Sequence, residues 1–124
     1  MRIQLGLEQK ETLYDDVLHV LKAFQVNPKS PLTASQINQW LEFAFNTDDK
    51  KLIYIFIMRQ AERIYLTNGA RKMIQIFESN KMEVQDIREF LGLLKWLSDS
   101  RIHPGVIKSA KSFQDLIALY SSGG

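Results

Sequence analysis

Two histidines are the side chains best suited to acid–base or metal chemistry, and they are far apart in the sequence. His19 falls in the first helical pattern and His103 in a late loop, with no second histidine or cysteine near either. A catalytic zinc site needs three protein ligands, and a nucleophile needs a base beside it. The absence of cysteine also excludes disulfides, thiolate zinc sites and iron–sulfur clusters. We expect no metal or other cofactor.

The nearest carboxylate pairs are Asp15–Asp16 and Asp48–Asp49, each formed by consecutive residues. Consecutive side chains on a helix point about 100° apart. Both pairs lie near predicted helix starts, where the helix dipole stabilises negative charge. Capping therefore explains them better than acid–base catalysis. The sequence also contains no phosphate-binding glycine loop, no H-E-x-x-H and no G-x-S-x-G motif, so we predict that the protein is not an enzyme.

The basic residues are distributed unevenly along the chain. Residues 1–49 contain 4 basic and 7 acidic side chains, whereas residues 50–111 contain 12 basic and 6 acidic ones. The formal net charge of the whole chain is only +2. The positive surplus is thus confined to the middle and late segments, a pattern that favours an anionic partner.

Helical spacing predicts that several of these cations share a face. Arg59 and Arg63 are four residues apart and project from one side of a helix. If neighbouring helices lie side by side, their cations would line a groove that follows a phosphate backbone. The candidate nucleic-acid-binding residues are Arg59, Arg63, Arg71, Lys72, Arg88, Lys95, Arg101, Lys108 and Lys111.

The same charges also fit a plain solvated surface. Acidic residues are interleaved with the cations, namely Glu62, Glu78, Glu83, Asp86 and Glu89. A basic surface without a groove motif would give at most sequence-independent binding. Tyr54, Tyr65, Trp40 and Trp96 would suit base stacking, but aromatic residues at helical spacing belong more often to a core.

Apolar residues repeat at helical spacing along most of the chain, which predicts an all-α fold. The predicted helices span about residues 8–25, 34–45, 48–67, 70–78, 83–98 and 106–120. Thr33 and Gln36 form a capping-box pattern before the second of these. The run from Leu52 to Met58 would also suit a buried strand, but the pattern continues to Ala61 without a turn and no partner strand exists. We interpret this segment as the central, most buried helix of the bundle.

Short connections predict a compact antiparallel bundle of five to six helices. We expect a single domain over residues 1–120 and a disordered tail at 121–124. Asn68–Gly69 is predicted to end the third helix in a left-handed conformation. Gly92 lies inside the fifth helix, where glycine costs about 1 kcal/mol relative to alanine, so we expect a neighbouring helix to pack closely against it.

The charged N-terminal residues leave no room for the apolar core of a signal peptide, and no segment is apolar enough to span a bilayer. We therefore expect a cytoplasmic protein without membrane contact.

Three segments together resemble the small helical subunit of multisubunit CRISPR interference complexes, particularly those of type III systems. They cover about half the chain. They are Leu32-Thr33-Ala34-Ser35-Gln36-Ile37, then Ile57-Met58-Arg59 continuing through Tyr65, Gly69 and Arg71, and finally Ile87-Arg88-Glu89-Phe90-Leu91.

The resemblance implies a subunit that is not a nuclease and that works inside a ribonucleoprotein. Several copies would stack along the complex and contact its repeated backbone subunits. Basic side chains would support the guide–target duplex or the displaced strand, whether RNA or single-stranded DNA. The positions that carry over from the family are Arg59, Arg63, Arg71 and Arg88.

Two other functions fit the sequence. A protein-interaction adaptor or regulator would expose a large apolar patch, for which Trp40 and Trp96 are candidates. A helix-turn-helix DNA reader is more distant, because residues 31–49 contain Glu42 but no basic side chain.

Overall fold

Seven helices make up the part of the protein that the computed structural model describes, which is residues 7–25, 33–63, 66–100 and 102–123. The all-α prediction is confirmed, and no strand occurs in those ranges. The helix count is seven instead of five or six. The helices are α1 Leu7–Phe24, α2 Ala34–Phe45, α3 Lys50–Arg63, α4 Thr67–Ser79, α5 Val84–Ser98, α6 Pro104–Ser109 and α7 Phe113–Ser121.

The first five helices form a closed circuit around one core. α1 packs against α4 and α5, α3 packs against α4 and α2, and α2 completes the circuit by packing against α5. α3 therefore lies across the bundle from the junction of α1 and α5. The largest fully buried side chains fill the interior and are Trp40, Phe24, Phe77 and Phe90. Each contributes about 1.5–3 kcal/mol by leaving water.

The start of α2 follows the predicted capping box. The Gln36 backbone N–H donates to the Thr33 hydroxyl at 3.2 Å, and the Thr33 N–H donates to the Gln36 side-chain oxygen at 2.9 Å. The predicted bounds of α2 agree with the structure. Asp49 caps α3 by accepting the Lys51 N–H at 3.0 Å, as predicted for the second carboxylate pair.

The predicted sixth helix is in fact two helices. Ala110 is extended, with φ −69° and ψ 128°, and the Ser112 side chain caps α7 by accepting the Asp115 N–H. α1 holds this break through its own side chains. Lys22 donates to the Ala110 carbonyl at 2.6 Å, and Asp15 accepts the Phe113 N–H at 2.7 Å. Because of these contacts, α6 and α7 pack separately on α1.

Asp15 and Asp16 also depart from prediction, since they lie well inside α1 and not at its start. Asp15 caps the N-terminus of α7 instead. At the other end, α7 includes Ser121, one residue into the segment expected to be a tail. No described helix is both long enough and apolar enough to cross a membrane.

The predictions for the two glycines were wrong in complementary ways. Gly69 lies in the first turn of α4, is buried, and does not have positive φ. A methyl group there would overlap the Phe24 ring, so Gly69 lets α4 approach α1. At Gly92, by contrast, an added methyl would meet nothing within 4 Å. The close helix packing expected at Gly92 occurs at Gly69.

The two glycines provide a matched test of this packing. Gly69→Ala should lower the free energy of unfolding by about 1–3 kcal/mol, because overpacking the Phe24 ring outweighs the better helix propensity. Gly92→Ala should raise it by about 0.5–1 kcal/mol, since only propensity changes there. Urea denaturation followed by far-ultraviolet circular dichroism measures both. Equal effects of the two substitutions would contradict the assignment.

Candidate nucleic-acid interface

Contacts with its two neighbours fix the orientation of α3. On the α2 side, the Gln60 side-chain oxygen accepts the Trp40 indole N–H at 2.9 Å, and Phe56 stacks on Phe43 with ring centroids 4.3 Å apart. On the α4 side, Tyr54 lies against Phe77 with ring centroids 6.1 Å apart. The remaining side of α3 faces outward.

Arg59 and Arg63 lie on that outward side, near the edge facing α2. They follow Phe56 by three and seven residues, which places them about 60° and 20° from it around the helix. Both side chains are exposed. Neither makes an ion pair or hydrogen bond with any residue that the structure describes. Their charges are therefore available to a ligand.

The cations of α4 diverge from each other. Arg71 and Lys72 are both exposed. Arg71 precedes Glu78 by seven residues and so shares its side of α4, which faces α3 because Glu78 pairs with Lys50 at 3.6 Å. Lys72 follows Gly69 by three residues and so lies about 60° from it around the helix. Because Gly69 lies against Phe24 of α1, Lys72 is nearer the α1 side of α4. Arg71 thus borders the α4 edge of α3, whereas Arg59 and Arg63 border its α2 edge.

Arg88 is held by contacts with the C-terminal end of α2 and the loop that follows it. Its Nε donates to the Ala44 carbonyl at 2.8 Å, and its Nη2 donates to the Thr47 carbonyl at 3.2 Å and lies 3.4 Å from an Asp48 carboxylate oxygen. The guanidinium also lies 5.3 Å from the centre of the Phe45 ring. Arg88 is only 18% exposed. It satisfies carbonyls at the C-terminal end of α2, where a cation also complements the helix dipole.

The other candidates are separate from α3's outer side. Lys95 donates to the Asn38 side-chain oxygen at 2.9 Å and joins α5 to α2. Lys108 and Lys111 are exposed, but they belong to the C-terminal segment that packs on α1. Arg101 lies outside the described residues. The nine candidates therefore do not form one strip, and α3 supplies the most coherent part.

The outer side of α3 also exposes apolar side chains, which the sequence analysis missed. Leu52, Ile55 and Met58 are 43%, 57% and 47% exposed. The prediction that α3 is the central, most buried helix is therefore wrong, because these apolar side chains of its first half are exposed. It is one member of the circuit, with an open side. We call this open side the α3 face, and its exposed residues are Lys51, Leu52, Ile55, Met58, Arg59, Glu62 and Arg63.

The large aromatic residues divide between core and surface. Trp40 is fully buried and Tyr54 is only 7% exposed, so neither is available for base stacking. Burial, followed by the nearby Glu78 carboxylate, raises the pKa of Tyr54 to about 12. Tyr65 lies outside the described residues.

Trp96, in contrast, is 77% exposed. It borders an apolar cleft of ≈ 450 Å³ at the junction of α1, α5 and α7. The other lining residues are Tyr14, Val17, Leu93, Leu97, Ser100 and Phe113. This cleft lies across the bundle from the α3 face.

The histidines have backbone partners. The Nε2 atom of His19 lies 3.2 Å from the Lys111 carbonyl oxygen, and the Gly105 N–H donates to Nδ1 of His103 at 3.0 Å. His19 of α1 thus contacts the segment between α6 and α7, and His103 caps the first turn of α6. Within the described ranges, no group of three or more histidine, aspartate or glutamate side chains is arranged to hold a metal ion.

A smaller cleft of ≈ 250 Å³ lies between α1, the end of α4 and the start of α5. Asp16, Asp86 and Glu89 contribute carboxylates to its lining. Burial raises the pKa of Asp16, although the Asn80 amide, 3.5 Å away, opposes this shift. Unlike the α3 face, the described lining of this cleft includes no lysine or arginine.

No protein-family model, curated protein or solved structure matches this chain. The arrangement of the exposed side chains, above all those of the α3 face, therefore has to indicate the function.

Stability measurements should separate the structural arginine from the surface arginines. Arg88→Ala should lower the free energy of unfolding by about 2–3 kcal/mol, because two carbonyls lose a charged donor. Arg59→Ala should change it by no more than about 0.5 kcal/mol, because the side chain is exposed and makes no described contact. Chemical denaturation of both variants measures the difference. A comparable loss in Arg59→Ala would show that it too has a structural role.

Proposed function

We propose that this protein is a non-catalytic subunit of a ribonucleoprotein and that it supports a nucleic-acid strand through the α3 face. The observation that carries the proposal is the pair Arg59 and Arg63, exposed on one side of α3 and free of described ion pairs. The resemblance of three segments to the small helical subunit of CRISPR interference complexes identifies the class of assembly that we propose.

The charge of the α3 face supports this function. Lys51, Arg59 and Arg63 are accompanied there by a single acid, Glu62. Arginine presents a planar set of donors that suits phosphate oxygens. Contacts of this kind release counterions from the nucleic acid, so binding should weaken steeply as salt rises. Arg71 would extend the cationic surface along the α4 edge.

Protein contacts within the assembly would use a different surface. The Trp96 cleft is apolar and lies away from the α3 face, so a protein subunit and a nucleic-acid strand would not compete for the same residues. In the proposed complex, these partners include the repeated backbone subunits and further stacked copies of this chain.

Charge reversal on two sides of the bundle tests the nucleic-acid contact. Arg59→Glu/Arg63→Glu should weaken binding of fluorescein-labelled RNA at least tenfold at about 50 mM salt, because two phosphate contacts become repulsive. Lys108→Glu/Lys111→Glu makes the same change in net charge on the C-terminal segment and should weaken binding less than about twofold. Fluorescence anisotropy measures both affinities, and circular dichroism verifies that the helices are retained.

Equal losses in the two double variants would mean that net charge, and not the α3 face, governs binding. Failure of the unsubstituted protein to bind any nucleic acid would overturn the proposed function.

The second candidate function is a protein-interaction adaptor without nucleic-acid binding, and the exposure of Trp96 beside its cleft favours it. Exposed tryptophan next to an apolar pocket is typical of interaction hot spots. Under this alternative, Trp96→Ser should abolish association with the cognate protein, while Arg59→Glu/Arg63→Glu should leave it unchanged. The anisotropy measurement separates the two functions, because an adaptor of this kind would not bind the labelled RNA at any salt concentration, whereas the proposed ribonucleoprotein subunit would.

A further inference from the structure

Cationic and apolar side chains are interleaved along the α3 face. Ile55 is exposed one turn before Arg59, and Leu52 lies one turn before Phe56 on the α2 edge. Met58, also exposed, precedes Arg59 directly and lies on the part of the α3 face nearer α4. A ligand that covers this face must therefore meet positive charge and apolar surface together. It must do so over a helix face on the order of 18 Å long.

A nucleic-acid duplex does not have this combination on its outside. Its phosphates line the surface, while its bases are stacked and paired within. Binding a duplex would place phosphates over Leu52, Ile55 and Met58 and would desolvate charge against apolar groups. A single strand, in contrast, exposes both phosphates and unstacked base faces.

We infer that the α3 face binds single-stranded nucleic acid, with phosphates on Arg59 and Arg63 and bases on the neighbouring apolar side chains. This inference rests on the proposed function and narrows its ligand. The stacked rings of Phe43 and Phe56, which are parallel to within 4°, lie half-buried at the same edge as the two arginines. They extend the apolar surface on which a base lies. The site is a few nucleotides long and reads no sequence, because stacking is tolerant of base identity.

The experiment uses the full chain and three fluorescein-labelled probes of equal length: a single-stranded RNA 12-mer, the same RNA in a duplex, and an abasic strand. The single strand should bind at least about fivefold more tightly than either the duplex or the abasic strand, because only it offers bases together with phosphates. Salt is kept constant, and the abasic strand controls for the phosphate contribution because it has the same number of phosphates as the single strand, whereas the duplex has twice as many.

A matched pair of isoleucine substitutions locates the base contact. Ile55 on the α3 face and Ile117 on α7 are 57% and 45% exposed, so serine at either position should leave the fold intact. Ile55→Ser should weaken binding of the single strand at least about threefold and should not weaken binding of the duplex. Ile117→Ser should change neither.

Three results would overturn the inference. The first is equal affinity for the single strand, the duplex and the abasic strand, which would leave the proposed function standing with phosphate contacts alone. The second is weakening by Ile117→Ser as large as that by Ile55→Ser. The third is tighter binding of a synthetic helix of leucines flanked by glutamates than of any oligonucleotide, since this would assign the α3 face to an acidic protein segment. Absence of binding to all three nucleic-acid probes would remove the proposed function as well.

Discussion

The close approach of α4 to α1 at Gly69 is the constraint on which the orientation of the bundle depends. The missing side chain leaves room for the Phe24 ring, which in turn lies 5.8 Å from the Trp40 ring of α2. The Trp40 indole then donates to Gln60 of α3. One continuous series of contacts therefore runs through four helices. It fixes which side of α3 is packed and which side is open.

Burial divides the cations into two groups with different physical roles. Arg88 and Lys95 are partly buried and bind carbonyl or amide oxygens of α2, so their charge is matched inside the molecule. Arg59 and Arg63 remain exposed and retain their hydration and their field. Only cations of the second kind attract an anionic partner over a distance. The ligand surface that we propose therefore includes only some of the basic residues of the chain.

The α3 face and the cleft beside Trp96 lie on different sides of the closed circuit of helices. The α3 face combines aliphatic side chains with arginine, whereas the cleft beside Trp96 is lined almost wholly by apolar groups. Arginine and tryptophan are both enriched where proteins bind partners. In the function that we propose, the two surfaces would bind two different components of the assembly.

The sequence by itself determined the all-α class and the position of most helices, because apolar periodicity and local caps such as Thr33 with Gln36 act over a few residues. It also located the strong positive charge in the middle of the chain. Tertiary structure alone decided that Gly69 and not Gly92 is the site of close packing, and that Asp15 of α1 caps a helix 98 residues later. It likewise decided that Arg88 is committed to the end of α2 while Arg59 is free. These outcomes depend on which helix lies beside which, and contacts between distant segments leave no periodic signal in the sequence.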